Sequence, residues 1–268
     1  MAAIDNQLKV IIYSCITGGY ELPIQNHKIN NNYEYLFFTD GNHSQACEQF
    51  QKNFITDSTK ITFDIENDLL NIFDSKDRNR FVKMHPQLFL PPHDLSIYVD
   101  GDIQITGNLN NLIQEVMASK ESIFLYEHHK RKCTYEEALF CADQSLEFIW
   151  KIYSQMKRYR IENYPQNNGL YEGNIIFRKN TNKTQKLMES WWKEYYYGAK
   201  RDQLSLVYCS SNIKIPICSL GKCEIRKPGS EFYLDMNKRK RKLNLSFFIT
   251  KIVNYFLIRF FSLKQFIQ

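Results

Sequence analysis

Three strand-like runs in the first 102 residues stop at polar positions, and this pattern constrains the fold most. Residues 8–16 (LKVIIYSCI) lead into Thr17-Gly18-Gly19. Residues 33–40 (YEYLFFTD) end at Asp40, and LSIYV (95–99) ends at Asp100-Gly101-Asp102. All three are short and rich in β-branched and aromatic residues, as buried strands are. KITFDI (60–65) reads as a further strand. DRNRFVKMHPQLFL (77–90) has helical spacing through Phe81, Met84, Leu88 and Phe89, with Pro86 starting or kinking a helix inside it. Strands alternating with helical patterns predict an α/β fold with a mainly parallel sheet. Ligands of such sheets gather at the carboxyl ends of the strands, so the three polar ends are expected to share one crevice.

IFLYE (123–127) predicts a strand. TYEE (134–137) has the form of a capping box, with Thr134 as N-cap and Glu137 reaching back, ahead of one helix over about 135–160. Its inward face would carry Tyr135, Leu139, Ala142, Leu146, Ile149 and Tyr153. A loop over 164–173 precedes a strand at 174–180. Helices follow at 184–198, closed by Gly198, and from 201 onward.

Nothing inside 1–220 reads as a repeat or a linker, which gives a body over 1–225 and a distinct segment over 226–268. That segment holds ten Lys/Arg against two acids, so it carries more than the whole chain's formal +6 and leaves the body slightly acidic. It joins the run Lys238–Lys242 to an apolar stretch interrupted by Lys251 and Arg259. On a helix Lys251, Asn254, Ser262 and Gln265 fall on one side, and Phe248, Ile252, Phe256 and Phe260 on another. An amphipathic tail lying on an anionic membrane surface is expected, with packing on the body as the alternative; nucleic acid is not an expected partner. No secretory signal or spanning segment is expected. Seven cysteines, odd in number and without a CxxC pair, predict free thiols rather than a zinc site or a disulfide framework.

Asp-x-Asp at the end of a strand suits a hard divalent cation, Mn²⁺ or Mg²⁺, which relieves the repulsion of two neighbouring carboxylates while a diphosphate completes its shell. The same residues also fit a turn with two solvated acids.

YVDGDIQI resembles the metal-binding motif of nucleotide-sugar-dependent glycosyltransferases of the GT-A fold. The ordered blocks DRNRFVKMHPQLFLPPHDLSIYVDGDIQI, EHHKRKCTYEEA, GLYEGNIIFRKN and WWKEYYYGAKRDQLSLVY resemble the TOD/MUCI-type glycosyltransferase-like domain family over about residues 76–208. That family occurs in plant polysaccharide proteins and in bacteria. The resemblance implies a GT-A-like (Rossmann-like) mixed, mainly parallel sheet flanked by helices. It implies metal ligands at Asp100 and Asp102, and a donor site drawing on Thr17, Gly18, Tyr20, Asp40, Arg78, Lys83 and Asp100, with His85 in the same block. His128, Arg131, Gly173 and Asn174 would face the acceptor. Asp202 and Gln203 would line the donor sugar, as a similar pair does in retaining enzymes. If the reaction inverts, Asp202 or Glu172 would deprotonate the acceptor. The chain departs from many GT-A enzymes in having no His after His129 to serve as third metal ligand.

The expected function is metal-dependent transfer from a nucleotide-sugar donor to a glycan or lipid-linked acceptor. The expected setting is bacterial surface polysaccharide or lipopolysaccharide synthesis on the cytoplasmic face of the membrane. A metal-dependent phosphohydrolase and a non-catalytic glycan- or membrane-binding module are the competing readings.

Overall fold

The computed structural model describes residues 8–18, 28, 30–39, 59–62, 73–227, 229–234 and 245–261. Strands β1 to β9 span Val10–Ile16, Glu34–Thr39, Thr59–Thr62, Leu95–Val99, Ile103–Ile105, Ile123–Glu127, Tyr171–Lys179, Cys218–Lys222 and Phe232–Leu234. The helices are α1 (Ser75–Met84), α2 (Pro86–Phe89), α3 (Asn110–Ala118), α4 (Thr134–Asp143), α5 (Ile149–Ile161), α6 (Asn182–Tyr197), α7 (Asp202–Ile213) and α8 (Leu245–Phe261).

One seven-stranded sheet has the order β3-β2-β1-β4-β7-β6-β8, and β5 pairs with β9 in a second, small sheet. β1, β2, β3 and β4 run parallel, and β7 is antiparallel to β4. This is the mixed, mainly parallel α/β sheet expected from the sequence. β4 is buried throughout, which is why it reads as an unbroken apolar run. The chain divides into two compact units, with the division passing through β6 and β7. The first comprises Met1–Phe124, Asn174–Gln185 and Glu224–Lys240; the second comprises Leu125–Gly173, Lys186–Cys223 and Arg241–Gln268.

In the first unit Ile16 lies opposite Thr39 and Tyr13 opposite Tyr98, so β1, β2 and β4 end along one edge. A buried polar clamp braces the helix beside them. Arg178 of β7 is fully buried and donates from Nη1 to the Lys83 carbonyl at 2.7 Å, and the Tyr13 hydroxyl donates to that same oxygen at 3.0 Å. Arg178 Nη2 also reaches the Tyr13 hydroxyl. Together they satisfy a carbonyl that the end of α1 would leave without a helical partner. Burial raises the Tyr13 pKa to about 12, with Arg178 opposing the shift, so the phenol stays neutral.

In the second unit α5 buries Ile149, Ile152, Met156 and Tyr159 along one stripe. Two expectations are corrected here. The single helix over 135–160 is two helices, because Ser145 takes a left-handed φ of 50° and Asn254 of α8 binds the break. Asn254 Oδ1 accepts the Ile149 N–H at 2.9 Å, and its Nδ2 donates to the Glu147 carbonyl at 3.0 Å. The capping box at 134–137 is also absent. Cys133 is the N-cap, and buried Glu137 turns its carboxylate to Arg131, a charge-assisted partner stronger than a backbone amide. The fully buried Trp191 of α6 donates its indole N–H to the Asp202 carbonyl at 2.9 Å, which pins the start of α7.

On α8 Thr250 and Asn254 are buried, while Phe248, Ile249, Ile252, Tyr255 and Phe256 are about half exposed. Among the described residues no helix is long and apolar enough to cross a membrane. The six described cysteines are free thiols, in line with expectation.

Candidate active site

The residues singled out from the sequence fall into two clusters, one in each unit. In the first, β4 delivers Asp100 to the sheet edge. The Asp100 N–H donates to the Asn174 carbonyl at 2.8 Å, and the Ile103 N–H donates to the Asp100 carbonyl at 3.0 Å. Asp100-Gly101-Asp102-Ile103 is therefore a fixed turn with both acids half-buried on it. A Cβ at Gly101 would stand 2.4 Å from the Ile16 side chain. Close packing against β1, more than freedom to turn, is what demands glycine there. At Gly18 a positive φ of 67° and the Ser75 side chain make the same demand. The neighbouring Thr17 hydroxyl donates to the Ser75 carbonyl, tying the end of β1 to α1.

Lys83 stands in the last turn of α1 and is 1% exposed. Its ammonium lies 3.9 Å from Asp100 Oδ1 and 5.1 Å from the centre of the Tyr98 ring. The Tyr98 hydroxyl is buried with no hydrogen bond of ordinary geometry among the described residues. Burial first, and then the charge of Asp100, raise its pKa well above the usual phenol value. It stays an O–H donor beside the carboxylate. The buried Asn174 Oδ1 likewise has no described partner. Arg78 donates from Nε to the Phe73 carbonyl at 3.1 Å. His85 joins α1 to α2, with its ring on Phe81 and Nδ1 2.9 Å from the Phe81 carbonyl. Tyr20 and Asp40 lie outside the described residues.

The second cluster centres on Glu172, at the start of β7 beside Gly173 and 6% exposed. His129 Nδ1 is 2.7 Å from Glu172 Oε1, and Gln203 Nε2 donates to Oε2 at 3.4 Å. His128 stacks on His129 with ring centres 4.8 Å apart, and its Nε2 lies 3.8 Å from Glu172 Oε1. Arg131 bridges His128 and Glu137. Burial raises the Glu137 pKa, with Arg131 and then Arg201 opposing the shift. Asp202 is the first residue of α7, where the helix dipole favours an acid, and its Oδ1 accepts the Gln203 N–H at 3.2 Å.

Sequence reasoning missed His129, whose only signal was its place beside His128. It also missed Arg178, whose signal was a charge inside the apolar strand NIIFRKN.

The TOD1/MUCI70 glycosyltransferase-like domain model matches residues 3–232. The chain belongs to that family. The reach of the match agrees with β9, which places Phe232–Leu234 on β5 of the first unit. This TOD1/MUCI70 domain is similar in fold to mouse xyloside xylosyltransferase 1 in its apo form. The TM-score is 0.50 at 12% identity, covering 80% of this chain and 85% of that one. It is similar also to the apo bifunctional glycosyltransferase WbbM, with TM-score 0.50 and 12% identity, covering 82% of this chain and 40% of WbbM. No curated protein matches. The fold is GT-A-like and the enzyme class is glycosyltransferase.

Proposed function

We propose that this TOD1/MUCI70 domain transfers a sugar from a nucleotide-sugar donor to a glycan or lipid-linked acceptor, with Mn²⁺ or Mg²⁺ held by Asp100 and Asp102. The observation that carries this reading is the fixed Asp100–Asp102 turn with buried Lys83 beside it. Two hard carboxylates, an ammonium and the buried Tyr98 hydroxyl fit a cation carrying a diphosphate. The bound ion would supply charge neutralisation on the leaving diphosphate. Lys83 adds a fixed positive charge, and Thr17 and Gly18 border the nucleotide. Glu172, Asp202 and Gln203 serve the transfer itself, and His128, Arg131, Gly173 and Asn174 serve the acceptor. A phosphohydrolase would gather further ligands around the metal. Among the described residues the one cluster of three possible ligand groups is His128, His129 and Glu172, which includes neither aspartate.

The test is release of nucleoside diphosphate from a panel of UDP- and GDP-sugars, with and without Mn²⁺. Metal-dependent release from at least one donor is expected. No release from any donor, in either condition, overturns the reading.

The tail belongs to the same proposal. Exposed Phe248, Ile252 and Phe256 form one apolar row on α8, preceded in sequence by the basic run Lys238–Lys242. We place that row in the headgroup region of an anionic cytoplasmic leaflet, where a membrane-anchored surface-polysaccharide acceptor would be met. Deleting the tail would also remove Asn254 from the start of α5, so substitution is the cleaner probe. With each side chain contributing about 1 kcal/mol of partial burial, Phe248→Ser/Ile252→Ser/Phe256→Ser should weaken cosedimentation with phosphatidylglycerol-containing vesicles about a hundredfold. Unchanged binding would refute the membrane role.

A further inference from the structure

The later turns of α5, α6 and α7 border a polar cleft of about 390 Å³ inside the second unit, and the transfer reading makes no use of it. Its lining includes Arg158 of α5, Lys193, Glu194 and Tyr197 of α6, and Tyr208 and Asn212 of α7. Asn212 lies about 14 Å and about two and a half turns along α7 from Gln203, on the opposite face of the helix. The cleft is therefore separate from the Glu172 cluster.

The walls are held in place by a network beneath them. Gln155 Nε2 donates to Glu194 Oε1 at 3.0 Å, and the Tyr159 hydroxyl donates to the same oxygen at 2.9 Å. Arg158 Nη2 binds that oxygen as well. Glu194 Oε2 has no hydrogen bond among the described residues, so it is the oxygen left to accept from a ligand. Arg158 Nη1 donates to the Tyr208 hydroxyl at 3.1 Å, and the Tyr208 ring stacks on Tyr159 with centres 3.8 Å apart. Gly198 lets the end of α6 close on this network, since a Cβ there would stand 2.8 Å from the Gln155 side-chain amide. Groups already fixed in one geometry lose little freedom when a ligand binds. Tyr197 is the contrast: at 85% it is the most exposed large apolar side chain among the described residues, and its ring touches Tyr196 at the rim.

The charges and the shapes select the ligand. Arg158 is paired with both Glu194 and Glu162, and Lys193 is the other cation of the lining, so two positive charges face two negative ones. Such a balance offers no net attraction to a phosphate or a metal ion. A sugar ring presents apolar C–H faces and a rim of hydroxyls. An exposed aromatic ring suits the faces, and a held carboxylate oxygen, a guanidinium and an amide suit the rim. We propose that this cleft binds a neutral oligosaccharide, with Tyr197 as the stacking platform and Glu194 Oε2, Arg158 and Asn212 as partners of its hydroxyls.

The proposal goes beyond the transferase reading and does not depend on it, because its test is binding to the full chain without donor or Mn²⁺. Saturation-transfer NMR is run with maltotriose, cellotriose, mannotriose and galactotriose, and with a heparin tetrasaccharide as the anionic counterpart. At least one neutral trisaccharide should bind. Tyr197→Ala takes away no buried packing and should weaken that binding about tenfold, the scale of one lost aromatic contact. Tyr197→Phe keeps the ring and should restore most of the affinity. Asn212→Ala, a second probe of the same cleft, should weaken binding about fivefold, the scale of one hydrogen bond. Absence of binding by every neutral trisaccharide overturns the proposal. Binding that either alanine variant leaves unchanged does so too, because the sugar would then sit elsewhere. Tighter, Tyr197-dependent binding of the heparin tetrasaccharide would make the ligand an anion and overturn the proposal as well. Sugar binding as described in a wild-type protein that consumes no donor would overturn the transferase reading alone.

Discussion

Asp102→Asn should reduce metal-dependent turnover by about 10²–10³-fold, the usual cost of removing one group that stabilises charge on a leaving oxygen. The substitution is isosteric. It leaves the Asp100–Ile103 turn and the Gly101 contact with Ile16 in place. What changes is the charge offered to the cation. The Mn²⁺ concentration needed for half-maximal rate should rise, and saturating metal should restore only part of the rate. Nucleoside diphosphate release measured across a Mn²⁺ titration reads both effects. Asp100→Asn separates the two acids, because Asp100 also faces the buried Lys83 ammonium. That variant should lose stability as well as activity, since it takes a carboxylate away from a buried cation. Full activity in Asp102→Asn at ordinary Mn²⁺ would remove the aspartate pair from the metal assignment.

What the sequence disclosed, and what it hid, follows the range of the interactions concerned. β1, β2 and β4 were legible because strands buried on both faces need apolar residues at every position. The Asp100–Asp102 turn was legible because its acids are neighbours in the chain. The break between α4 and α5 was not. It carries no Pro or Gly, and the group that stabilises it is Asn254, 105 residues from Ile149. The capping box failed for a similar reason: its glutamate had a better partner in Arg131, six residues upstream. The His129–Glu172 contact spans 43 residues, and no local pattern announces it. On α8 the periodicity put Asn254 on the polar side of the helix, and that polar residue is the one buried against the protein. A single Asn that closes two backbone groups outweighs a row of apolar side chains as a docking determinant, because unpaired buried amides and carbonyls are so unfavourable.

Lys83→Met should weaken binding of nucleoside diphosphate with Mn²⁺ by a hundredfold or more while leaving the fold as stable as before, or more so. The two effects have different origins. Lys83 is 1% exposed, so its ammonium is kept from water and its desolvation opposes folding. Methionine preserves the length and packing of the stem without that charge. The clamp that holds the end of α1 uses the Lys83 carbonyl, which Arg178 and Tyr13 still engage in the variant. Stability therefore has little to lose. Binding does, because a desolvated cation opposite an anionic group is worth about 2–5 kcal/mol when one partner is removed. Lys83→Arg is the complementary case. It keeps the charge but must fit a planar fork into a space closed to solvent, so it should destabilise the first unit. Titration calorimetry with UDP or GDP and Mn²⁺, paired with denaturant unfolding, separates these outcomes. A variant Lys83→Met that unfolds more easily yet binds nucleotide as tightly as wild type would make Lys83 a packing residue and leave the diphosphate without its cation.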